Sequence, residues 1–240
     1  MTDTPSDQSW PLQSWPWQSW CDTHALADSV MAGAYETLCG IDRAILKKCI
    51  ARQHVVWSEY AARESRTRSF RQGFGLVEDD APAAYALLVC EASYPSPAAF
   101  IAALMPALLA GVSAVLPCFI LAKDQAGIDA SLLGALELAG VERAFAAPEA
   151  EVLALAGLLR PNSGGNGDGG RIVLLGGSGF AESLVLHAHR AGVLCRSLRS
   201  EDDADAVGLC RDAAHEDVWF WPDLGPGWFR TRHMRIFALQ

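Results

Sequence analysis

The chain is short of basic residues. Against 28 Asp and Glu it has 19 Lys and Arg, a formal net charge of −9 over 240 residues. Such a surface repels phosphate backbones, which argues against nucleic-acid binding. No basic start followed by an apolar run opens the sequence, so no secretory leader is expected. The seven cysteines form no close pairing pattern, and their odd number suits reduced thiols in a cytoplasmic protein. Zinc spacing is missing as well. Cys195, Cys210 and His215 do not form a standard set. His187 and His189, two apart on a predicted helix, point to nearly opposite sides and cannot share one ion. No metal site is expected.

Charge is absent from Ala92 to Ala122, a run long enough to span a membrane. Pro95, Pro97, Pro106, Gly111 and Pro117 interrupt it, and neither flank carries a basic cluster or an aromatic belt. A buried helix, a turn and a buried strand account for the same residues, so no membrane partner is expected.

What is present is apolar and periodic. The 51% hydrophobic content supports a substantial core. Residues 1–21 read as a tryptophan-rich extended arm. A Gln-Ser-Trp triplet recurs every five residues at Trp10, Trp15 and Trp20, with Trp17 beside them and Pro11 and Pro16 between copies. Two uses are open, a strap on its own domain or an arm exchanged with a second subunit. An odd period places successive tryptophans on opposite sides of an extended chain, which predicts a homodimer. Residues 22–80 read as an N-terminal helical segment, with Ile41, Ile45, Cys49, Val56 and Tyr60 on one face. Lys47 to Arg71 holds seven basic residues, read as a solvated face or a place for an anionic ligand.

Residues 81–240 alternate strand and helix. Tyr85–Cys90, Ser113–Leu121, Glu142–Ala147, Arg171–Leu175 and Val193–Leu198 are predicted strands, with Val218–Trp221 a further candidate. Ser96 caps a helix opened by Pro97; others follow over Ile128–Ala139, from Ala147 to about Leu159, and over Ser178–Ala191. A glycine-rich loop occupies 161–170, and its single Asp168 is too little for a stacked calcium repeat. The fold class is therefore α/β, a Rossmann-like three-layer domain with a mostly parallel sheet, preceded by helices.

Gly176-Gly177-Ser178-Gly179 joins a predicted strand to a helix, where backbone amides can hold an anion. It matches the dinucleotide fingerprint only in part, because position 182 is Glu. Cys90, Cys118 and Cys195 lie at or near strand ends, with no base nearby in sequence to activate them.

From Tyr94-Pro95-Ser96 onward the chain resembles histidinol dehydrogenase. Met105-Pro106-Ala107, Leu109-Ala110-Gly111-Val112, Leu132, Leu133, Leu138-Ala139-Gly140-Val141-Glu142 and Ala150–Ala156 follow in that family's order, over residues 94 to 157. More remotely the layout resembles the aldehyde dehydrogenase superfamily. The departures matter. Leu88-Val89-Cys90-Glu91 stands where the family has Tyr-Val-Pro-Gly-Gly. The family's Gly-Gly-Ala-Gln, whose Gln helps hold NAD, reads Pro148-Glu149-Ala150-Glu151, and Gly-Pro-Gly-Asn reads Leu174-Leu175-Gly176-Gly177. Neither a Gln-x-x-His motif nor a Glu-His pair follows, so no catalytic residue and no metal ligand carries over. By position the resemblance assigns Glu151, Gly176, Gly177 and Ser178 to a remnant cofactor site, with NAD binding weak or lost. The resemblance implies a binding or regulatory module for an unnamed small molecule. The alternatives are an active NAD(P)-dependent oxidoreductase using Cys90 or Cys195, and a structural partner subunit working through the arm.

Overall fold

The computed structural model describes residues 17–57, 64–121, 127–159, 169–176, 179–198, 220–221 and 223–238. Of the tryptophan-rich arm, Trp10 and Trp15 lie outside these residues. Trp17 and Trp20 do not belong to an extended chain. Past Pro16 no proline interrupts the backbone, and α1 (Gln18–His24) forms. Trp17 and Trp20 are buried, Trp17 edge-on to Tyr85 at 5.5 Å and Trp20 against Phe145 at 5.8 Å. At this end the arm straps its own domain.

Two more helices follow, α2 (Asp28–Thr37) and α3 (Gly40–Val56). The buried stripe of α3 is Leu46, Cys49 and Gln53, whereas Ile41 and Val56 are exposed and Tyr60 lies outside the described residues. The stripe is rotated from the expected one because burial of Gln53 is compensated: its Oε1 accepts from Trp57 Nε1 at 3.0 Å.

The helical expectation for 22–80 fails beyond α3. β1 (Glu64–Phe70) and β2 (Phe74–Pro82) form an antiparallel pair, and β2 also pairs with the last strand of the chain. Both faces of β1 carry polar residues, so no local period marks it as a strand.

The parallel sheet is built as expected from apolar runs: β3 (Ala86–Glu91), β4 (Val115–Ile120), β5 (Phe145–Ala147), β6 (Arg171–Leu175) and β7 (Leu194–Leu198). Its order is β5-β4-β3-β6-β7, and every neighbouring pair is parallel. The connecting helices are α4 (Pro97–Leu109), α5 (Ala130–Leu138), α6 (Glu149–Leu158) and α7 (Phe180–Ala191). Alternation along the strands splits the core in two. Leu88, Cys90, Val115 and Phe119 pack with residues of α2 to α5. Leu87, Val89, Leu116 and Cys118 pack with residues of α1, α6 and α7. This is a three-layer, Rossmann-like α/β fold.

The uncharged run from Ala92 is spent on α4 and β4, both buried. The Ser96 hydroxyl accepts from Ala99 N at 3.2 Å and caps α4, with Pro97 in its first turn. No described helix is long and apolar enough to cross a membrane.

Of the candidate strand at Val218–Trp221, Phe220 and Trp221 are irregular, and Val218 and Trp219 lie outside the described residues. A 3-10 turn (Pro226–Phe229) leads instead into β8 (Arg230–Ala238), which closes the small sheet β1-β2-β8.

Candidate functional site

From β3 the chain winds outward through β4 to β5, then returns to place β6 on the other side of β3. The crevice where such a sheet reverses direction lies at the carboxyl ends of β3 and β6. β3 ends in Glu91. β6 is followed by Gly176, whose φ of 118° is closed to ordinary side chains. Its N–H donates to Leu198 O at 3.4 Å. A Cβ at position 176 would lie 3.2 Å from Glu91 Oε1, so the carboxylate packs directly on the glycine turn. Among the described residues no basic group pairs with Glu91. Gly179 stands at the N-cap of α7, where no side chain among the described residues caps the first amides. Gly177 and Ser178 lie outside the described residues.

The rim of the crevice is tied down through backbone. Glu91 O accepts from Tyr94 N at 3.0 Å, and Ala92 O accepts from Asp129 N at 3.0 Å. Asp129 caps α5, its Oδ1 accepting from Ser131 N at 2.7 Å.

Glu151 sits elsewhere. It belongs to the first turn of α6, at the end of β5, and β5 is separated from β6 by two strands. Its carboxylate is 3.9 Å from His24 Nε2, and its carbonyl accepts from Trp20 Nε1 at 3.1 Å. The structure engages Glu151 with α1 and gives Gly176 a different acidic neighbour, Glu91. That residue is invisible as a functional candidate in the sequence, where it reads as the charge that ends a strand.

Burial makes Cys90, Cys118 and Cys195 poor nucleophiles. Burial pushes the Cys90 thiol well up, and the adjacent Glu91 charge adds to this. Burial also raises Cys118, and it pushes Cys195 up to about 12. His187 Nδ1 lies 2.8 Å from Ser183 O along its own helix. Among the described residues no group of three or more His, Cys, Asp or Glu is placed to hold a metal ion.

This arrangement is a Rossmann-like α/β architecture with an acidic group at its crevice. Among solved structures, histidinol dehydrogenase from Elizabethkingia anophelis superposes with a TM-score of 0.53 at 14% identity, over 72% of this chain and 39% of that one. Lactaldehyde dehydrogenase from Escherichia coli gives 0.45 at 13% identity, over 71% of this chain and 37% of that one. Methylmalonate-semialdehyde dehydrogenase from Oceanimonas doudoroffii gives 0.41 at 12%, over 72% and 43%. The chain thus spans less than half the length of each. No family model matches it, and no curated protein does.

Proposed function

We propose that the protein is a small-molecule binding module on a histidinol-dehydrogenase-like core, without that family's zinc- and NAD-dependent alcohol oxidation. The observation that carries this reading is the Glu91 carboxylate packed on Gly176. In such a crevice a dinucleotide lays its pyrophosphate on the glycine turn and the helix N-terminus. A helix N-terminus favours an anion by about 0.3–2 kcal/mol. Two like charges 4 Å apart repel by about 4 kcal/mol at an effective dielectric of 20. Repulsion is therefore the larger effect. The protonated, buried thiols weigh against an oxidoreductase built on Cys90 or Cys195.

Calorimetric titration with NAD and NADP tests the reading. Dissociation constants in the millimolar range or no heat are expected, and Glu91→Gln should tighten either cofactor by about tenfold, or 1.4 kcal/mol. Histidinol oxidation should stay at the no-enzyme level with or without zinc. Micromolar affinity for NAD in the unaltered protein would overturn the reading and favour an active oxidoreductase.

As an assembly we propose a homodimer. Supporting this are Trp10 and Trp15, beyond the strap that Trp17 and Trp20 form, and the exposed Met234 and Ile236 of β8.

A further inference from the structure

At the opposite end of the parallel sheet lies a cavity of about 430 Å³. Ala83 and Ala84, just before β3, form part of its wall, with Ser113, just before β4. Strands of six residues put it roughly 20 Å from the Glu91 crevice. The facing wall is the small sheet. There Ser65, Asp79 and His233 are aligned across β1, β2 and β8, and Arg235 lies one row away.

The polar groups of this wall are not balanced. The two Asp79 oxygens are already served: Oδ1 accepts from Ser65 Oγ at 2.6 Å and Oδ2 from the Arg235 guanidinium at 3.0 Å. Donors remain. Arg235 is two-thirds exposed, and a guanidinium carries five N–H groups. His233 also lines the cavity, and its covered Nε2 has no hydrogen-bond partner. Ser113 adds a hydroxyl. The rest of the lining is small and apolar, chiefly Ala81, Pro82, Ala83 and Ala84.

We propose that this cavity binds a small carboxylate with a short hydrocarbon body. The carboxylate takes the free donors of Arg235 in the planar geometry that guanidinium favours. The Ser113 hydroxyl adds a donor, and the hydrocarbon lies along the alanine and proline wall. Asp79 holds Arg235 in place through Oδ2, and the paired guanidinium offsets its charge, which no basic group does for Glu91 among the described residues.

The test uses the full chain with butyrate, inorganic phosphate and butylamine as probes. Binding is followed by calorimetry and by the Ala81 methyl signal, assigned through Ala81→Ser. Butyrate should bind saturably and shift Ala81. Arg235→Gln should weaken it at least tenfold, and Ser113→Phe should fill the cavity and abolish it. Thermal unfolding checks both variants; Ser113→Phe leaves the Asp79 bonds intact and carries the test if Arg235→Gln fails to fold. No Ala81 shift at about 10 mM butyrate, well past a millimolar constant, overturns the proposal. So does unchanged affinity in the folded variants, or phosphate or butylamine binding as tightly as butyrate. None of these outcomes bears on Glu91 or on NAD.

Discussion

The walls around the thiols decide when they give up their protons. Burial pushes Cys21 up to about 11 and Cys195 to about 12, from an ordinary value of 9.0. As pH rises past 9 the unfolded chain releases these protons first, so folding stability falls between about pH 9 and 12 and is fully kept below that window. Urea midpoints at about pH 8 and about pH 10.5 should show the loss, and Cys21→Ala should make it smaller. Close approach sets a second residue. Tyr85 lies flat over Gly170, where a methyl group would overlap its ring, and its hydroxyl donates to Leu159 O at 3.2 Å. Gly170→Ala should cost about 1–3 kcal/mol, seen as a lower Tm. The glycine turn at 176 was legible as a strand-to-helix junction. Its neighbour was not, because Glu91 meets Gly176 only through the pairing of β3 with β6. Glu151 was placed by resemblance alone, and resemblance does not know that α1 engages it.

A buried cation fastens the last part of the chain to the sheet. Arg171 opens β6, and its guanidinium donates to Gly170 O at 3.1 Å, Trp228 O at 2.7 Å and Arg230 O at 2.7 Å. Among the described residues no carboxylate shares the work, and burial lowers the guanidinium's pKa from its ordinary value. Arg171→Leu removes those donors and strands buried carbonyls, each at about 1–3 kcal/mol. Hydrogen exchange should speed up in Phe229–Ala238 before it does in β3; equal effects on both would mean that the residue supports the core as a whole. Core strands such as β3, β4 and β6 were legible because they are continuous apolar runs bounded by turn residues. β1, β2 and β8 were not. Their described side chains are mostly exposed or half-exposed, so neither period nor hydrophobicity marks them. What makes them strands is one another, and β8 is far from β1 and β2 in sequence.

At the scale of the whole molecule the proposed dimer gives a clean measurement. Trp17 and Trp20 are already buried in their own chain, so removing residues 2–16 spares the strap and takes only Trp10 and Trp15. Sedimentation should then shift from dimer toward monomer with little change in Tm. A full-length chain that sediments as a monomer at high concentration refutes the dimer. The two sheets also differ in how they come to exist. The parallel sheet grows strand by strand from neighbouring segments, but the small sheet joins distant ones: Asp80 and Arg230, bonded at 2.9 Å, are 150 residues apart. A ribosome needs roughly 8–30 s to travel that distance. Throughout that interval β2 has emerged with one edge unfilled, and a two-stranded hairpin is barely stable by itself. The nascent chain is thus open to capture, either by a chaperone or by the β8 of a sister chain on the same message.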